Sequence, residues 1–200
     1  MSLIEEAPVP QRRRGAALEN ALLDAAWDEL ADKGYTAFTI ESVAERASTS
    51  RAVIYRRWPT KPDLVRAAVG RAGQKERVEI PDTGSLRDDV VELLRRANQS
   101  RASLGIMMVL QLSGYYAETG TGLSDLRSIF LASGGKAVDT LLARAVQRGE
   151  VDPAKLTPRV VSVPFDLYRQ ELLMTLKPVP DAVAESIVDE VFMPLVRPSV

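Results

Sequence analysis

"TIESVAERASTSRAVIYRRWPTKPDLV" spans residues 39–65 and holds the pattern on which the fold turns. Thr39 is a natural N-cap, and Phe38 and Val43 are spaced as a hydrophobic staple around it. Glu41 falls near the positive end of the helix dipole. A short helix is expected over about residues 40–47. Three small hydroxyl residues, Ser48, Thr49 and Ser50, then interrupt it. Ser50 is the natural N-cap of a second short helix over about 51–57, which Pro59 stops past Trp58. Thr60, Pro62 and Asp63 restart a helix with a Thr-x-x-Asp capping pattern, running to about Arg77. Two short helices joined by three small residues match the helix-turn-helix plan, whose second helix enters the DNA major groove.

The same stretch is basic in a chain that is not. Arg46 to Arg77 carries nine Lys and Arg against two acids, whereas the whole chain has net charge −1. A charge run is usually a solvated helix face, so the charge alone does not decide for a polyanion partner. Other classes fall away faster. The chain has no cysteine and no histidine, which removes disulfides, Cys/His zinc sites, thiol nucleophiles and Ser-His-Asp triads. "SGGK" at 133–136 hints at a phosphate loop, but Phe130 stands where that motif needs its first Gly. Adjacent Asp88 and Asp89 point in different directions on a helix. An enzyme is not expected. The longest uncharged run, residues 102–117, is shorter than the roughly 20 residues a membrane span needs. The first residues lack a secretory apolar core, so a cytoplasmic location is expected.

The 200 residues, 46% of them apolar, suffice for one or two packed domains. Residues 1–14 have prolines, charges and little apolar content, and read as a flexible basic arm. Leu18, Leu22, Leu23, Ala25, Ala26, Trp27 and Leu30 form one helical stripe over 16–33, with Gly34 as a stop. "EIPDTGS", residues 79–85, reads as a linker and sets the domain boundary: 15–78 before it, 79–200 after it. Further helices are expected at about 85–101, 104–117, 123–148, 158–176 and 180–196. No period-two run is flanked by hairpin turns. The reading is all-α, with about nine helices.

On the second short helix, Ile54 and Trp58 are four apart and face inward. Arg51 lies at its N-terminal end, where major-groove helices touch base edges, and can donate two hydrogen bonds to guanine. Ala52 allows close backbone approach, and Val53 suits a thymine methyl. Tyr55, Arg56, Arg57 and Lys61 have the reach for phosphates, beside free backbone N–H groups at the start of the next helix. Arg12, Arg13 and Arg14 could reach a neighbouring minor groove.

These residues closely resemble the DNA-binding region of TetR-family transcriptional regulators. The matching positions are Thr39, Val43-Ala44, Ser50, Ala52, Ile54-Tyr55, Trp58 and Lys61, and the likeness extends back through Ala25-Ala26 and Gly34. It covers about residues 16–70. Three positions depart from it. Ser48-Thr49 stands where the family often has Gly-Val, Arg57 where it often has His or Tyr, and Glu41 where some members place a basic residue on DNA. Thr39, Thr49 and Ser50 join the phosphate candidates.

The resemblance implies that residues 79–200 form a helical ligand-binding and dimerisation domain, and that the protein is a homodimeric, ligand-responsive repressor on a palindromic operator. The expected partners are double-stranded DNA, a second copy of the chain and a small apolar or amphipathic effector, with no cofactor and no membrane. Met107, Met108, Leu112, Tyr115, Tyr116, Phe130, Phe165 and Tyr168 are candidates for the pocket, or plain core. Leu167, Leu172, Val183, Ile187, Val191 and Leu195 recur at helical intervals, as a dimer seam or an internal core. The competing reading is a helical adaptor whose basic region binds an acidic protein or a membrane surface. The break at Pro59 suits two packed helices better than one membrane-surface helix.

Overall fold

The computed structural model describes residues 15–75, 79–122, 125 and 134–198, with no side-chain description for 101 and 134–136. The Arg12–Arg14 arm and Phe130 lie outside the described residues. Every regular element among the described residues is helical: α1 (Ala16–Ala37), α2 (Ile40–Arg46), α3 (Arg51–Tyr55), α4 (Lys61–Lys75), α5 (Leu86–Gln111), α6 (Ser113–Thr119), α7 (Gly134–Gln147) and α8 (Pro158–Thr175), then α9 (Asp181–Ser186) and α10 (Met193–Val196). The segment Ile187–Phe192 joins α9 to α10 as a π-helical stretch, and Pro153–Lys155 forms a 3₁₀ turn before α8. No described helix is long and apolar enough to cross a membrane.

Two cores hold these helices. The first gathers Leu22, Leu30 and Phe38 of and just after α1, Val43 of α2, Ile54 of α3 and Leu64, Val65 and Val69 of α4. It continues into Met108 of α5, Leu112 between α5 and α6, and Tyr115 of α6. The second joins Leu86, Val90 and Leu94 of α5 to Leu141 of α7, Tyr168 and Leu172 of α8, and Val188, Phe192 and Val196 near the C-terminus. Helix α5 therefore belongs to both cores, its first turns to one and its last to the other. Burying a side chain such as Phe38 or Phe192 contributes about 1.5–3 kcal/mol each.

The capping reading holds at two places. Thr39 Oγ1 accepts from Ser42 N at 3.1 Å, and Ser42 Oγ accepts from Thr39 N at 3.3 Å. Thr60 and Asp63 reciprocate in the same way at the start of α4. That box changes one expectation. The N–H groups of Thr60 and Asp63 are occupied by it and Pro62 has none, so only that of Lys61 stands outside it. Ser50 occupies the N-cap of α3, but its side chain makes no capping bond. Its carbonyl instead accepts from Val53 N at 3.0 Å.

Two boundaries differ from expectation. No break falls between 101 and 104; α5 runs on to Gln111 and the chain pauses at Leu112. Gly105 is tolerated inside α5 because a Cβ there would lie 3.1 Å from Leu172 Cδ2, a close approach that glycine relieves. Helix α1 does break at Gly34, which has φ 69°, although helical bonding resumes to Ala37. A Cβ at Gly34 would lie 2.4 Å from Gln111 Oε1, so glycine also lets α5 dock.

The turn after α2 is a Schellman motif. Thr49 N donates to Ala44 O at 2.9 Å and Ser48 N to Glu45 O at 3.0 Å. Its left-handed residue is Ser48, at φ 51°, where glycine carries no Cβ penalty. Ser48→Gly should therefore stabilise the chain by about 0.5–1 kcal/mol, raising Tm by roughly 1–4 °C. A thermal melt showing no rise would contradict the strain at Ser48.

Candidate nucleic-acid interface

Helix α3 is only five residues long, and its packing sets what it presents. Ile54 is fully buried and Trp58 nearly so, as their spacing predicts. Arg51, Ala52, Tyr55 and Arg56 are exposed, Tyr55 by 46%. Val53 is half-buried and leans on the first core, so only part of it faces outward. Arg57 is half-buried and donates from Nη1 to Val53 O at 3.1 Å. Thr39 and Ser50 are exposed and Thr49 is half-buried. One face thus brings together Thr39 at the start of α2, the α2–α3 turn and the outer side of α3.

Lys61 is placed differently from the arginines. Its ammonium lies 4.1 Å from the centre of the Tyr35 ring. Burial lowers its pKa, and the Glu118 carboxylate partly offsets that. Tyr35 Oη in turn donates to Glu118 Oε2 at 2.7 Å, and its ring meets that of Tyr115 edge-on at 5.6 Å. Burial and then Glu118 raise the Tyr35 phenol above its ordinary value. The start of α4 is thereby tied to α6 through the end of α1.

Sequence reasoning missed the ion pairs between helices of this unit, among them those made by Arg46 and Glu41 of α2. Glu29 is buried on α1. Arg46 Nε donates to its Oε2 at 3.0 Å, and Lys33 Nζ lies 2.6 Å from its Oε1. Arg46 Nη2 also donates to Asp32 at 2.6 Å. Burial alone would raise the Glu29 carboxyl, but Lys33, Ser42 and Arg46 hold it below its ordinary value of 4.5. This clamp fixes the end of α2 against α1. The second pair joins Arg51 Nη1 to Glu41 Oε1 at 2.8 Å, on the exposed face itself. A helical wheel shows Glu29 and Lys33 one turn apart on α1, but neither Arg46 on Glu29 nor Arg51 on Glu41, because those partners sit on different helices.

The candidates in the C-terminal half divide between the cores. Met108, Leu112 and Tyr115 are buried in the first core, with Met107 and Tyr116 packed at its edge. Tyr168 is buried in the second core and Phe165 packs against it. The apolar positions expected as seam or core also divide. Leu172 and Ile187 are buried within the chain, Leu167 and Val183 are half-buried, and Val191 and Leu195 are exposed by 37% and 42%. Asn98 carries a role its neighbours did not suggest. Its amide donates to Val179 O and accepts from Val179 N, both at 2.9 Å, and Tyr168 Oη donates to it at 3.0 Å.

Comparison with known proteins agrees with this geometry. Residues 22–68 match the family model described as bacterial regulatory proteins, tetR family, and residues 80–191 match the tetracyclin repressor-like C-terminal domain. A DNA-binding transcriptional repressor TetR of Mycobacteroides abscessus is 33% identical over 189 residues, covering 92% of this chain and 97% of that protein. An uncharacterized HTH-type transcriptional regulator of Mycobacterium bovis is 32% identical over 181 residues, covering 88% and 86%. The regulator FadR from Bacillus subtilis, solved in complex with stearoyl-CoA, shares the fold with TM-score 0.63 at 19% identity, covering 84% of this chain and 97% of that one. The chain belongs to the TetR family of helix-turn-helix, DNA-binding transcriptional regulators. Its homologues are regulators, not enzymes.

The Glu29 clamp should contribute about 1–3 kcal/mol, less than a fully enclosed pair because Lys33 and Arg46 keep one side in water. Its carboxyl titrates lower folded than unfolded. The contribution is therefore complete above about pH 4.5 and is lost as pH falls through the lower folded value. The stability difference between the wild type and Glu29→Gln, from denaturant melts, should narrow between pH 7 and pH 3. A constant difference would show that the clamp does not depend on that charge.

Proposed function

We propose that the chain is a ligand-responsive repressor that binds a palindromic operator as a homodimer. The observation that carries this reading is the face of α3, where a fully buried Ile54 leaves Arg51, Ala52, Tyr55 and Arg56 exposed. On this reading Arg51, Ala52 and Val53 meet base edges in the major groove. Tyr55, Arg56, Arg57 and Lys61, with Thr39, Thr49 and Ser50, hold phosphates and set the register. Arg12, Arg13 and Arg14 enter an adjoining minor groove. The unit that reads DNA is residues 15–78, and residues 79–200 bind the effector and the second copy.

Two copies are needed because paired recognition helices read half-sites about 34–36 Å apart. The outward residues near the C-terminus, Val191 and Leu195 with Leu167 and Val183, supply apolar surface for that pairing. The effector is a small apolar or amphipathic molecule. The Bacillus subtilis relative in complex with stearoyl-CoA supports this class, since that ligand joins an acyl chain to a polar carrier. Entry beside Met107 and Tyr116 would disturb the core that α5 and α6 share with α1 and α4. For that to release DNA, the effector must bind the non-DNA conformation better; equal affinity shifts nothing.

Binding to an operator fragment should weaken steeply with salt. Neutralising 6–10 phosphates predicts a loss of about 10³–10⁵ in affinity between 50 and 200 mM. A flat salt dependence would refute the phosphate assignments. Arg51→Ala should relax the preference at one base pair per half-site by about fivefold or more, whereas Lys61→Ala should weaken all sequences alike. Uniform loss for Arg51→Ala would remove it from the base-reading set.

A further inference from the structure

We propose that Glu41 determines specificity by positioning Arg51: its carboxylate holds the guanidinium across the α2–α3 junction, so that Arg51 favours guanine at one base pair of each half-site. This rests on the DNA-reading role given to α3 above. Arg51 Nη1 donates to Glu41 Oε1 at 2.8 Å, from a residue ten positions away. The two side chains are 64% and 50% exposed, so no core packing holds either of them. An exposed pair of this kind adds little to stability. What it changes is the freedom of a long side chain on the face offered to DNA.

Glu41 is well placed for that task. It lies in the first turn of α2, inside the Thr39–Ser42 box that fixes the backbone there. The α2–α3 turn is itself held by the Schellman bonds from Ser48 and Thr49. The carboxylate is therefore a rigidly based acceptor beside the N-terminal residue of α3. Glu41 takes up Nη1, which leaves the Nε–Nη2 edge out of that bond. Two parallel donors on one planar edge match the O6 and N7 acceptors of guanine. Opposite another base, a free arginine would swing to a nearby phosphate, whereas a tethered one must first give up Glu41. The carboxylate also repels phosphates, so it lowers affinity for every sequence while raising the contrast between them.

The test uses four duplexes that differ only at the base pair whose preference Arg51→Ala relaxes. Binding of the full-length wild type, Glu41→Ala, Glu41→Gln, Arg51→Ala and the Glu41→Ala/Arg51→Ala double variant is measured at fixed salt. Thermal melts confirm that each variant is folded. Glu41→Ala should reduce the preference for guanine by about threefold or more while tightening binding to all four duplexes. Glu41→Gln keeps an acceptor and should retain part of the preference. In the Arg51→Ala background, Glu41→Ala should not change the preference further. Equal tightening on all four duplexes, with the preference intact, would overturn the inference and leave Glu41 as a phosphate repellent only. A preference change that persists without Arg51 would also overturn it, by showing that Glu41 reads a base itself. A wild type that prefers no duplex would instead defeat the DNA-reading account on which the inference rests.

Discussion

A five-residue helix cannot hold itself in water; isolated helices shorter than about 12–15 residues are marginal even with favourable sequences. Helix α3 therefore depends on tertiary contacts for both its existence and its orientation. Ile54, fully buried, and Trp58 anchor one side of it in the first core. The Schellman turn at Ser48 and Thr49 sets the angle at which it leaves α2. Once those contacts are made, the exposed side is decided: Arg51, Ala52, Tyr55 and Arg56 have nowhere else to point. The surface proposed to face DNA follows from an apolar constraint, and the charges are what that constraint leaves outside.

The first core does not end with the helix-turn-helix unit. Met108, Leu112 and Tyr115 reach into it from α5 and α6, and the other end of α5 lies in the second core. Polar contacts reinforce the junction, with Tyr35 on Glu118 and Lys61 over the Tyr35 ring. Gly34 allows the approach of Gln111 that brings α5 against α1. The second core and the start of α4 are thus joined by a single continuous helix and one packed junction. On the surface beside the second core, bidentate contact between Arg87 and Asp189 at 2.8 Å ties α5 to the π-helical stretch. Asn98 fastens the turn after α8.

What was legible in the sequence was what local rules encode. The Thr39 and Thr60 caps act over three residues, and Ile54 and Trp58 lie one turn apart, so each could be read from spacing. The unbroken α5 is not legible locally because Gly105 weakens a helix by its own propensity; what accommodates it is Leu172 on another helix. Glu29–Arg46, Glu41–Arg51 and Asn98–Val179 were invisible for the same reason, since their partners sit on different elements. The apolar candidates of the C-terminal half showed helical periods but not which core each would join. Ser48 was the hardest to foresee. Its left-handed backbone is what glycine would signal, and this chain places a serine there.

Helix α3 is proposed to read DNA as one of a symmetric pair. The most direct test is selection of bound duplexes from a randomised library by the full-length protein, followed by sequencing. The account predicts an enriched inverted repeat whose half-site centres lie about 10–10.5 base pairs, or a multiple of that, apart. No enrichment, or enrichment of a single unrepeated element, would contradict it.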